Sequence, residues 1–307
     1  MRLQVLSAAA AIALLAGAAP ASANLIITPY FDSSVTGTQQ TAILAAIGFY
    51  EAAFTNPVNV SIEFATGAGG GGSSNTVAYY TTSAQIQALL AADAVAHPGN
   101  TVLSNALPYF LTGNTAQQFL VNSADCRALG GSCLGTIAGT GSVAQTGLDG
   151  IVTIGSSAYG NAQVIEHEID EVLGIGGPGT ILGGSTVNNG LTTLRMLDPY
   201  RYTAPGTPSL TTSAAATSYF SLNGGVTDIV NFNQSGGGSD YGDFTTSPCY
   251  VQSYAVCGNF APLSLTSPEG IALQVIGYDA VPEPVTLSIL GVGLAGLAGL
   301  SRRRANA

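Results

Sequence analysis

The chain of 307 residues has no lysine and only two histidines, His97 and His167, and 8% of its residues are charged. Between residues 24 and 280 three arginines stand against sixteen acidic residues, a net charge of −13, which makes nucleic acid and anionic membrane surfaces poor partners. No Cys-x-x-Cys pair is present to suggest a thiolate metal site. The glycine-rich run Gly67 to Ser74 lacks the following Lys-Ser or Lys-Thr of a phosphate loop and reads as flexible loop. Ser156 and Ser157 lie in Gly-Ser-Ser-Ala-Tyr-Gly, without the spacing of a nucleophile elbow, which argues against a serine hydrolase. No repeat of fixed period is visible, so a solenoid or propeller is not expected.

Long apolar runs stand at the two ends. Arg2, the run Ala8 to Ala19 and the small-residue site Ala21-Ser22-Ala23 predict a secretory signal peptide over residues 1–23 and a mature chain from Asn24. The other end, residues 281–307, carries Val281-Pro282-Glu283-Pro284, an apolar run from Val285 to Leu300, and Arg302-Arg303-Arg304. That run is shorter than the about 20 residues of an ordinary span, yet the arginines behind it are a stop signal on the cytoplasmic side. In an oxidising compartment the close pairs Cys126 with Cys133 and Cys249 with Cys257 suggest two local disulfides, although four cysteines allow three connectivities.

The remainder, residues 24–280, suits a single domain. Leu25 to Tyr30, Val58 to Phe64 and Asp149 to Ile154 read as strands; Gln39 to Phe54 and Ser83 to Ala94 read as helices. Ser267, Pro268, Glu269 and Gly277 bracket a last helix as cap, first position, first-turn acid and stop. Early alternation of strand and helix, then a loop-rich half, predicts an α+β fold with a twisted mixed sheet backed by helices.

The chemistry concentrates in Val164-Ile165-Glu166-His167-Glu168-Ile169-Asp170-Glu171-Val172-Leu173-Gly174. At 100° per residue Ile165, Ile169, Val172, Ala162 and Leu173 form an apolar stripe. His167, Glu168 and Glu171 fall opposite it, with Glu166 and Asp170 between, toward solvent. Like charges three or four apart cost a helix about 0.2–0.5 kcal/mol each, and no basic residue lies nearby in the sequence to offset four carboxylates. A divalent metal held by His167 and Glu171, which project side by side, would remove the conflict at its centre. Glu168 would then serve as general base for hydrolysis, as in the zinc-peptidase pattern His-Glu-x-x-His with its last residue changed.

Two resemblances bear on this reading. The tail resembles a PEP-CTERM sorting signal of Gram-negative bacteria that make exopolysaccharide, which implies removal by a membrane-embedded sorting peptidase and a transient inner-membrane anchor. The mature chain resembles a PEP-CTERM-bearing bacterial family of inferred metalloproteases, related to zincins and metzincins, in His167-Glu168-Ile169-Asp170-Glu171-Val172-Leu173-Gly174. Further matching pieces are Leu197-Asp198-Pro199-Tyr200-Arg201-Tyr202, Tyr219-Phe220-Ser221-Leu222-Asn223-Gly224-Gly225, Asp240-Tyr241-Gly242-Asp243 and Ala272-Leu273-Gln274-Val275-Ile276-Gly277-Tyr278. The resemblance implies a zincin-like domain and a secreted peptidase acting on protein or peptide substrates.

The third metzincin ligand has no counterpart, because its position is Gly177. Asp198, between Leu197 and Pro199, is the candidate in its place, with Asp240 and Asp243 as second choices. A His, Glu, Asp set puts two negative charges on zinc, which weakens its pull on water, and its hard oxygens also admit manganese or calcium. The rival reading is a non-catalytic protein of the exopolysaccharide matrix that uses a bound cation for structure. His97, beside Pro98 and Gly99, reads as structural or surface.

Overall fold

A computed structural model describes residues 24–110, 116–131, 137–139, 146–188, 190–234 and 240–281. The predicted signal peptide, the tail beyond residue 281 and Cys133 lie outside them. Among the described residues no helix is long and apolar enough to cross a membrane.

The fold is α+β. Eight strands form a mixed sheet: β1 (Ile26–Phe31), β2 (Asn59–Gly67), β3 (Gly72–Thr82), β4 (Gln118–Asn122), β5 (Ile137–Gly139), β6 (Gly150–Gly155), β7 (Val187–Asn188) and β8 (Leu191–Leu194). Their order is β1-β2-β6-β3-β4-β8-β7, with β5 paired to β3. Strands β1, β2 and β6 run parallel, and β3 is antiparallel to both β6 and β4. Alternation drives β2: Val60, Ile62 and Phe64 are fully buried, while the residues between them are not. A smaller antiparallel sheet follows, in the order β10 (Thr207–Pro208), β9 (Arg201–Ala204), β11 (Tyr219–Phe220), β12 (Val230–Asn231).

Six helices accompany the sheets: α1 (Gly37–Ala53), α2 (Ser83–Ala96), α3 (Thr101–Ala106), α4 (Ser123–Ala128), α5 (Ala162–Leu173) and α6 (Pro268–Ile276). The termini of α2 and α6 follow their side chains. Thr82 and Gln85 form a reciprocal capping box ahead of α2, and Ser267 caps α6, which ends at Gly277 in the left-handed region. The pivotal helix is α5. Asn161 caps it by accepting from the Gln163 backbone N–H at 3.0 Å, and Gly174, with φ of 117°, stops it. It packs across β3 and β6 and against α1, burying Val164, Ile165, Ile169, Val172 and Leu173. Each such burial stabilises by about 1.5–3 kcal/mol, enough to hold this helix despite its acidic face.

Two expectations are corrected here. Gly72 to Ser74 is not loop but the start of β3, paired to Ile154 through Val152 of β6. Its Gly and Ser residues carry no apolar alternation, and the pairing partner supplies the order. Asp170, expected toward solvent, is fully buried, because α1 covers that side of α5 and Tyr50 donates its hydroxyl to Asp170 Oδ1 at 2.9 Å.

Candidate metal centre

Helix α5 aims His167, Glu168 and Glu171 into a cavity of about 340 Å³ whose opposite wall is Gly71–Ser74 at the start of β3. The far side comes from residues 240–257, a segment without helix or strand that side chains tie down. The Cys249–Cys257 disulfide closes a loop within it. Gln163, in the first turn of α5, donates to Tyr250 O at 3.0 Å and accepts from the Cys257 backbone N–H at 3.0 Å. Glu269 of α6 accepts from the Gln252 backbone N–H at 2.9 Å. The loop is thereby registered on the helix that carries the motif.

Three donor groups converge. His167 Nε2 lies 3.8 Å from Glu171 Oε1 and 3.7 Å from Asp243 Oδ2. One donor atom from each of the three falls within 4.8 Å of the others. Two atoms bonded at about 2.1 Å to one ion can stand up to roughly 4.2 Å apart, so both contacts to His167 suit a single cation. The imidazole is oriented to serve as a ligand. In its neutral form Nδ1 donates to Val251 O at 3.2 Å, which leaves the Nε2 lone pair directed inward. Ser74 donates to Glu171 Oε2 at 2.6 Å, Gly177 N–H to Glu171 Oε1 at 3.3 Å, and Asn122 to the Glu171 carbonyl at 2.9 Å. Together these fix Glu171 in place.

Glu168 stands beside this set, buried, with Oε2 lacking any hydrogen-bond partner. A Cβ at Gly72 would meet Glu168 Oε1 at 2.4 Å, so glycine there makes room for the carboxyl group. Burial first, then the charge of Glu171, push its pKa up to about 9. Burial likewise lifts Asp243 to about 7, against the opposing pull of His167, and raises Glu171. For His167 burial favours the neutral ring, but the charges of Asp243, Glu171 and Glu168 outweigh it and raise the pKa to about 9. The site attracts positive charge. An uncompensated buried carboxylate costs several kcal/mol, and a divalent cation or extra protons would relieve that cost.

Asp198, expected as the third ligand, does not join this group. Its carboxylate is fully buried elsewhere, accepting from Thr180, from the Ile181 backbone N–H at 3.0 Å and from the Arg195 backbone N–H at 2.8 Å. Its oxygens are committed to shaping the turn before β9. Asp243, a second choice in the sequence, occupies the third position, and a Cβ at Gly177 would meet Asp240 Oδ2 at 2.5 Å and Glu171 Oε1 at 2.9 Å. Gln252, Gln163 and Ser74 went unnoticed in the sequence, where no motif marks them. His97 belongs to a separate cluster: its Nδ1 lies 2.8 Å from Asp93 Oδ1 and 2.7 Å from Asp279 Oδ2.

No protein-family model, curated protein or solved structure matches the chain.

Proposed function

We propose that this protein is a secreted, cation-dependent peptidase of zincin-like type, with His167, Glu171 and Asp243 as ligands and Glu168 as general base. The observation that carries the reading is the convergence of one imidazole lone pair and two carboxylates, from α5 and from a loop 70 or more residues away, beside Glu168, whose Oε2 has no hydrogen-bond partner. A divalent cation bound there would supply Lewis-acid polarisation of a carbonyl and acidify water. Zinc fits the imidazole, and the two carboxylates admit manganese or calcium as well.

The chain's own residues account for the rest. Gly71, Gly72 and Ser73 are exposed along one wall and leave backbone open for an extended peptide. Glu168 Oε2 is free to take a proton from the attacking water and return it to the leaving amine. Positive charge in the site works against both causes of its raised pKa and so brings it toward a base active near neutral pH. The acidic balance of the chain disfavours nonspecific capture by polyanions. Secretion through the signal peptide and release from the sorting tail belong to the same proposal.

The test pairs elemental analysis with cleavage of a peptide library by the purified protein and by Glu168→Gln. One zinc or manganese per chain in both, with cleavage lost only in Glu168→Gln, supports the reading. Cation uptake with equal, absent cleavage in both favours the matrix protein with a structural cation. A folded protein that takes up no cation ends the metal reading.

A further inference from the structure

Gln252 is a neutral side chain placed among the three donor groups, and it is wholly buried. Its Nε2 stands 3.2 Å from His167 Nε2 and 3.1 Å from Asp243 Oδ1, so a single amide nitrogen bridges two of the three groups. Its other terminal atom, Oε1, is buried and accepts no hydrogen bond. The backbone allows little drift: the Gln252 N–H is held by Glu269 Oε1 at 2.9 Å, and its carbonyl accepts from Phe244 N–H at 2.8 Å. Space for the amide is made by Gly176, where a Cβ would stand 2.1 Å from Gln252 Nε2.

We infer that Gln252 is a fourth protein donor of this centre, its amide turning over when a cation enters so that Oε1 replaces Nε2 toward the ion. Two observations converge. The 3.2 Å spacing to His167 Nε2 suits neighbouring ligands on one ion with bonds near 2.1 Å, and the 3.1 Å contact is to Asp243 Oδ1, beside the Oδ2 that faces His167, whereas an amide oxygen placed there without positive charge would face the Asp243 carboxylate in repulsion. A buried amide with one end bridging and the other unpartnered is half satisfied, and rotation by 180° exchanges the ends without moving the backbone. The set would then offer one nitrogen and three oxygens, hard donors that admit manganese or calcium beside zinc. The inference rests on the metal reading above.

The experiment is titration of the metal-stripped full chain with zinc and with manganese, beside Gln252→Leu, together with the visible absorption of the cobalt(II)-substituted forms. Expected are one site in the wild type, affinity weakened at least about ten-fold in Gln252→Leu, and a changed cobalt spectrum. Weaker binding with an unchanged cobalt spectrum would show that Gln252 acts only through His167, and overturns the inference. Equal affinity with an unchanged spectrum overturns it too, and both outcomes leave the metal reading intact. A folded wild type that binds neither ion removes the metal reading itself, and this inference with it. Should Gln252→Leu not fold, a zinc-loaded crystal of the wild type decides: an amide oxygen within about 2.0–2.5 Å of the ion is expected, and an amide turned away overturns the proposal.

Discussion

The chain holds two histidines, and each sits between two carboxylates, yet the two clusters are built for different ends. Around His97 the contacts have closed to 2.8 and 2.7 Å, the ring is 43% exposed, and Asp279 also accepts from Asn56 at 3.4 Å and Asn100 at 3.2 Å. It joins the end of α2 to the segment after α6 through short contacts of one ring nitrogen to two carboxylates. Around His167 the contacts stay open at 3.8 and 3.7 Å, the ring is 15% exposed, and among the described residues no basic side chain closes the gap. Similar residue types thus close on one another where the scaffold lets them collapse and stay open where it holds them apart. The scaffold at His167 does so with Val251 O behind the ring, Ser74 and Gly177 on Glu171, and Gln252 on Asp243.

The sharpest break of that contrast is to remove a ligand. Glu171→Ala or Asp243→Ala should abolish stoichiometric cation binding measured by elemental analysis, while His97→Ala should leave it unchanged. Next, Glu168→Gln should lower peptide cleavage by about 10²- to 10⁴-fold without loss of the cation, read from kcat and metal content together. Asp198→Ala should leave cation binding in place but destabilise the fold by about 3–5 kcal/mol in denaturant unfolding, because Arg201 and the Thr180 turn lose a buried partner. His97→Ala should cost about 1–3 kcal/mol, discernible as a lower Tm, since Asp93 and Asp279 then face each other without the ring.

The contrast is sharpened further by a dependence on pH. The folded-state values of Asp243 and Glu166, about 7, and of Glu168, about 9, lie above those of ordinary carboxyl groups, and that of His167, about 9, above an ordinary imidazole. Folding therefore favours the protonated form of all four. The stability they contribute is complete below about pH 4 for the acids and below about pH 6.5 for the imidazole. It is lost as pH rises through 7 to 9. Tm measured with a chelator should fall across that window, and saturating zinc should flatten the fall, as a cation replaces the protons. An equal fall with and without zinc would count against the His167 cluster as the binding site.

Much of this was legible in the residues. The helix carrying the motif, its stop at Gly174, the capping of α6 and the gathering of His167, Glu168 and Glu171 on one face follow from the 3.6-residue period and from capping chemistry, which act over a few residues. Other features were not. Asp170 alternates with its neighbours as a solvent residue would, and only α1, more than a hundred positions away, buries it. Gly72 to Ser74 has the composition of a loop, and β6 makes it a strand. Asp198 opens a short 3-10 turn and Asp243 lies in a segment without helix or strand, yet nothing local tells which turns to Thr180 and which to His167.

By itself the sequence determined that one helix must present an imidazole and two carboxylates together, since residues three and four apart on a helix lie side by side whatever surrounds them. Which further groups complete the centre was decided only by tertiary structure. The sheet brings β3 beneath Glu168, and the segment 240–257, hung from Gln163 and Glu269, carries Asp243 and Gln252 to His167. Such meetings depend on packing summed over the whole core, and a linear pattern of a few residues holds no record of them.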